Sequence, residues 1–155
     1  MTPTLFGRIQ TKLFLLLVIA PLWTLIITVA LVPLVSGTDA EMQASYLTVL
    51  WNAIQVLFWV AAVGILWEFL WHALQQLRWE KDWPLLFGLL QFIPEGVLVF
   101  FLVNPNFLGL TTGGGVPTAA FLVHFITTVW VTFLYINGPH RIFFIKWRFE
   151  GGRFV

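Results

Sequence analysis

The sequence contains no cysteine. That excludes disulfides, thiol nucleophiles, Cys-ligated zinc and Cys-ligated iron–sulfur clusters. Serine is nearly as scarce. Ser36 and Ser45 are the only two, and neither lies inside an apolar run. A His-Glu-x-x-His pair of the zinc-protease kind is also absent, so a familiar hydrolytic enzyme is not expected. Charge is the third shortage. Only 10% of residues are charged, against about a quarter in a soluble domain, and this excludes a water-soluble globule.

Apolar residues fill the chain instead, at 59%, with nine Trp and sixteen Phe among them. They fall into four runs, at about 13–35, 46–74, 83–103 and 116–136. A helix rises ~1.5 Å per residue, so about 20 residues cross a hydrocarbon core of ~30 Å. Every run is long enough. None alternates polar with apolar as a barrel strand would. The expectation is an all-α polytopic membrane protein. It is a four-transmembrane-helix bundle forming a single integral membrane domain over 1–155, with an interfacial tail at 137–155.

The basic residues orient it. Arg8 and Lys12 precede the first run, Arg78 and Lys81 separate the second from the third, and Arg141, Lys146, Arg148 and Arg153 follow the fourth. The intervening connections carry Asp39 and Glu41 but no base, or no charge at all. All eight cations thus fall on one side. The positive-inside rule then predicts cytoplasmic N- and C-termini, in a multi-pass protein of the plasma or inner membrane. The first run is longer than a usual signal core, so it is expected to be retained. The loop before the fourth run contains Gly113, Gly114 and Gly115. Val116 and Pro117 follow where a phosphate loop needs Lys and Ser or Thr, so it reads as a flexible turn, with Pro117 starting the last helix.

Four ionisable residues interrupt the runs: Glu68, His72, Glu95 and His124. A charge near the bilayer centre costs at least ~2.5 kcal/mol, so each needs a partner or a purpose. Helical spacing sorts them into stripes. Ala61, Gly64, Glu68, His72 and Gln75 share one face, Gly88, Gln91 and Glu95 a second, and Ala120, His124, Thr128 and Tyr135 a third. Pro21, Thr24 and Thr28 align on the first run. Such small and polar stripes are predicted to face one another, with Leu, Phe and Val outward. Glu95 and His124 fall near mid-membrane on consecutive runs, which predicts a hydrogen bond between them. Pro94 frees a carbonyl one turn earlier that needs a partner.

Several functions compete for these groups. The leading expectation is a non-enzymatic integral membrane subunit that anchors or scaffolds a larger assembly, its polar residues acting as glue. A small transporter or proton-conducting subunit is the alternative, with Glu95 and His124 at the centre and Gln91, Glu68 and His72 leading to the cytoplasm. A haem- or quinone-binding redox subunit is weaker. Glu68 and His72 are four apart, one more than the Glu-x-x-His spacing of di-iron bundles. His72 and His124 differ in depth by about half a helix, and His72 could match His140, at a similar level, only if the loop after the fourth run folds back. No metal, cofactor or catalytic residue is assigned.

The tail runs His-Arg-Ile-Phe-Phe-Ile-Lys-Trp-Arg-Phe from His140. Phe143, Phe144, Trp147 and Phe149 are suited to dip into the interface while Arg141, Lys146 and Arg148 meet anionic lipid. Trp67, Trp71, Trp79 and Trp83 would form an aromatic belt at the same level. The alternation from Ile145 to Glu150 also suits a strand added to a partner. The expected partners are the bilayer and other subunits or a second copy. Nucleic acid is not among them.

Overall fold

The computed structural model describes residues 4–36, 45–77, 85–112 and 115–154, apart from the side chains of 85–87 and 148. Its regular elements are all helical. In chain order they are α1 (Leu5–Phe14), a π-helical turn (Leu15–Ile19), α2 (Ala20–Ser36), α3 (Tyr46–Gln76), α4 (Leu85–Leu90), α5 (Phe92–Val103), α6 (Thr118–Asn137), α7 (Pro139–Phe143) and α8 (Ile145–Phe149). Three stretches are long and apolar enough to cross a membrane: Leu5–Ser36, Tyr46–Gln76 and Thr118–Phe143. A shorter apolar helix spans Gly88–Val103.

α2 packs against α3 and α6, α3 packs against α5, and α5 reaches α6. The helices therefore form a ring of four rods. Ala20, Ala53, Val56, Val60, Val99, Val103, Ala120 and Phe121 fill its centre. Small residues let the backbones approach closely where apolar burial alone gives little drive. Gly96 is one example, since an added Cβ would meet the Phe125 ring at 2.5 Å. The outer faces carry Leu25, Ile26, Val29, Phe58, Leu66 and Leu134, all exposed. Thr24, Thr28, Thr128 and Thr132 lie buried within. Of the stripes expected from helical spacing, Thr24, Thr28, Gly64, Glu68, Gln75, Glu95, Ala120, His124 and Thr128 are buried, whereas Pro21, Ala61, His72, Gly88, Gln91 and Tyr135 are only half-buried.

The first helix starts well before residue 13. Thr4 caps it by accepting from Gly7 N at 3.1 Å, and the earlier start brings Arg8 and Lys12 into the bundle. Lys12, Leu16, Ala20, Thr24 and Thr28 are all buried, a repeat of four. On an ideal α-helix such a repeat drifts about 40° per step. The π turn at Leu15–Ile19 holds more residues per turn and takes up part of that drift.

The third expected run is broken. Pro94 lacks an N–H, and its ring clashes with the carbonyl four residues back, that of Leu90. The helix stops at Leu90 and resumes at Phe92, with Gln91 in the gap. The loop after α5 is not a free turn. Asn104 is fully buried. Its Nδ2 donates to Thr118 Oγ1 at 2.9 Å, and its Oδ1 accepts from Asn106 N at 3.0 Å. Thr112 N donates to Gln55 Oε1 at 2.9 Å and Trp59 Nε1 to Leu110 O at 2.9 Å, which ties the loop to α3. Pro117 precedes α6 as its N-cap rather than opening it. Gly113 and Gly114 lie outside the described residues, as do Asp39, Glu41, Arg78, Lys81, Trp79 and Trp83.

The two ends of the chain are clasped together. Thr4 N donates to Gly151 O at 2.9 Å, Trp147 Nε1 to Thr11 Oγ1 at 2.7 Å, and Phe154 N to Gln10 Oε1 at 3.0 Å. Gly7 lies so close to Gly151 and Gly152 that a Cβ there would overlap the Gly151 carbonyl. The tail is thus docked on α1. Residues 145–149 form a helical turn, not a strand. Phe144 and Trp147 turn inward, in ring contact with His140 at 4.7 and 4.6 Å, whereas Phe143 and Phe149 are exposed. Arg141 and Lys146 are exposed as well, and the side chain of Arg148 lies outside the described residues.

Candidate functional site: a buried ion network and the cavity beside it

Charges of opposite sign meet where α1, α3 and α5 come together. Arg8 Nε donates to Glu68 Oε2 at 2.6 Å, and Arg8 Nη2 donates to Gln91 Oε1 at 3.1 Å. Lys12 Nζ donates to Glu95 Oε2 at 2.6 Å and lies 3.5 Å from Glu68 Oε1. The order is Arg8, Glu68, Lys12, Glu95, alternating in sign. None of the four side chains exceeds 8% exposure.

Local sequence explains each position. Arg8 and Lys12 are one helical turn apart on α1, so both face the same neighbours. Glu68 presents its two oxygens to the two cations from α3. Gly64, one turn before Glu68, leaves the space that the Lys12 ammonium occupies. A Cβ there would overlap Lys12 Cε and Nζ. Gln91 is free to reach Arg8 because Pro94 has interrupted the helix at that residue.

Isolated charges at such burial would cost several kcal/mol each. Two cations and two carboxylates in contact remove most of that cost, and the group as a whole is neutral. Glu95 is therefore not paired with His124, as depth alone had suggested. Its Oε2 is taken by Lys12, and its Oε1 has no protein partner. His124 instead bonds across to α2, where its Nε2 lies 2.9 Å from Thr24 Oγ1. The competing cation came from the residues read as flanking the first span. The available signal was the i, i+4 pair of bases on α1, set against two carboxylates inside apolar runs.

The three histidines occupy three separate environments. His72 is half-buried on α3, with its Nε2 3.4 Å from Gln76 Nε2, and His124 is bonded to Thr24. His140 is fully buried among Phe14, Tyr135, Phe144, Trp147 and Phe154, with ring centroids 4.6–5.5 Å away. Glu68 is tied to Arg8 and Lys12 rather than to His72. Among the described residues no group of three or more His, Asp or Glu is placed to hold a metal ion.

Beside the ion network lies a cavity of about 640 Å³. Arg8, Lys12, Glu68 and Gln91 form part of one wall. His124, Thr128, Thr132 and Asn137 from α6 form part of another. Leu15, Leu16, Val56, Val60, Phe125, Val129 and Phe133 supply apolar lining. Trp147, Phe149 and Gly152 border it where the chain ends are clasped. From His124 to Asn137 it follows α6 for about 20 Å, at ~1.5 Å per residue. The volume is that of a site for a small organic molecule. No known family model, curated protein or solved structure matches this chain.

Proposed function

We propose that the chain is a four-span integral membrane protein with both ends on the cytoplasmic side, acting without catalysis as a subunit that anchors or scaffolds a membrane assembly. The observation that carries this reading is the neutral ion network. The carboxylates at membrane depth are engaged by buried cations of the same chain, so they act as internal glue. A proton relay would need carboxylates able to exchange protons along a path, and Glu68 and Glu95 are both held by cations instead. The broken helix of α4 and α5 supplies the fourth span. The joined chain ends support an even number of crossings, and the basic residues support the cytoplasmic side.

The absence of cysteine makes topology testable by single-Cys scanning. Cys at Ser36 or Ser45 should react with a membrane-impermeant thiol reagent from outside the cell. Cys at Lys146 should react only after permeabilisation. Reaction of all three from one side would refute the four-span arrangement. The subunit reading is tested by gentle solubilisation of the tagged chain. A partner at fixed stoichiometry, lost on substitution of outward Leu25 and Val29 by Ala, is expected. A lone monomer, or proton flux in liposomes abolished by Glu95→Gln, would overturn the reading.

A further inference from the structure

We infer that the cavity along α6 is a binding site for an uncharged, lipid-soluble molecule bearing a hydroxyl group, with His124 and Thr128 taking the hydroxyl. The inference is independent of the anchoring role.

His124 and Thr128 are one turn apart on α6, and both line the cavity. They are 2% and 6% exposed. Yet His124 Nδ1 and Thr128 Oγ1 have no hydrogen-bond partner in the protein, although buried polar groups are nearly always paired. Their chemistry is set by a neighbour. Thr24 Oγ1 donates its one hydrogen to Ala20 O at 2.8 Å. With that hydrogen on Ala20 O, Thr24 Oγ1 accepts from His124 Nε2, 2.9 Å away, in the tautomer that carries the imidazole hydrogen on Nε2. His124 Nδ1 is left with a lone pair. A ligand hydroxyl can donate to that lone pair while accepting from the Thr128 hydroxyl, so one group satisfies both.

The remaining walls select against other classes. Arg8 and Lys12 are already matched by Glu68 and Glu95, so a carboxylate or an ammonium ligand would bring an uncompensated charge into a low-dielectric space. The Leu, Val and Phe lining suits a hydrocarbon body. A cavity running about 20 Å along α6 suits an extended one.

Photolabelling of the full chain in phosphatidylcholine nanodiscs tests the inference. Three probes share a fourteen-carbon chain with a mid-chain diazirine, to order of magnitude the size of the site: a primary alcohol, its methyl ether and the carboxylic acid. The alcohol should label peptides containing Leu16 or Phe133 about fivefold more than the ether, which lacks the donor hydrogen. Thr128→Val should lower alcohol labelling about threefold. His124→Leu alone leaves Thr24 without its partner, so it is combined with Thr24→Val, and the pair should erase the preference for alcohol over ether. Equal labelling by alcohol and ether in the unsubstituted chain would overturn the inference. So would stronger labelling by the acid, label confined to outward residues such as Ile26 and Val29, or an unchanged preference in the folded double variant.

Discussion

Replacing Lys12 with Met removes one ammonium from between two carboxylates. Lys12 Nζ lies 2.6 Å from Glu95 Oε2 and 3.5 Å from Glu68 Oε1. At an effective dielectric of about 20 those contacts correspond to roughly 6 and 5 kcal/mol of attraction. Most of that is offset by the desolvation of the three groups. The loss expected on removing one partner of such a buried pair is about 3–5 kcal/mol. Glu95→Gln should cost less, because Lys12 keeps Glu68. Glu68 should be the most sensitive of the acids, since it faces both cations. The double variant Lys12→Met with Glu95→Gln restores neutrality and leaves the Arg8–Glu68 pair intact. It should therefore recover most of the loss, with a coupling above about 1.5 kcal/mol. The assay is reversible unfolding in mixed micelles titrated with dodecyl sulfate, followed by helical circular dichroism. A Lys12→Met cost below about 0.5 kcal/mol would refute the reasoning, as would single effects that simply add.

Three further outcomes follow from the packing. Gly64→Ala places a Cβ on the Lys12 ammonium and against Glu95 Oε1. It should destabilise by about 1–3 kcal/mol, read in the same titration. Trp147→Phe deletes the 2.7 Å bond to Thr11 and should cost about 1 kcal/mol. Spin labels near the two chain ends should then show a broader distance distribution, and an unchanged one would count against the clasp. Pro94→Ala restores an amide and removes the clash with the Leu90 carbonyl. Hydrogen exchange from Leu90 to Glu95 should slow, and the Arg8–Gln91 bond should weaken as the helix closes over Gln91.

Much of the architecture was legible in the sequence. Run lengths predicted the long helices, and the spacing of Gly64, Glu68, Gln75, His124 and Thr128 predicted their inward faces. Boundaries were less legible. The first helix was placed to begin at residue 13 because Arg8 and Lys12 looked like flanking cations. A count of opposite charges would have argued otherwise, since two carboxylates inside apolar runs require two cations at the same depth. The tail was read as a lipid-facing edge from its mixture of basic and aromatic residues. Composition does not say which aromatics face the protein, and the structure divides them, with Phe144 and Trp147 turned in and Phe143 and Phe149 turned out.

The one-dimensional pattern by itself determined that the chain is helical, that its long apolar stretches suit a lipid environment, and that each helix has one polar stripe. Those properties follow from residue type and a 3.6-residue period, and both are local. Which stripe meets which was decided only in three dimensions. Glu95 and His124 are near in depth and lie on consecutive runs, yet each bonds to the first helix, through Lys12 and Thr24. The π turn that keeps both residues on the inward face, and the break that Pro94 imposes beside Gln91, set the register. Partner choice depends on helix rotation and approach, to which a sequence contributes only the sum of many packing contacts.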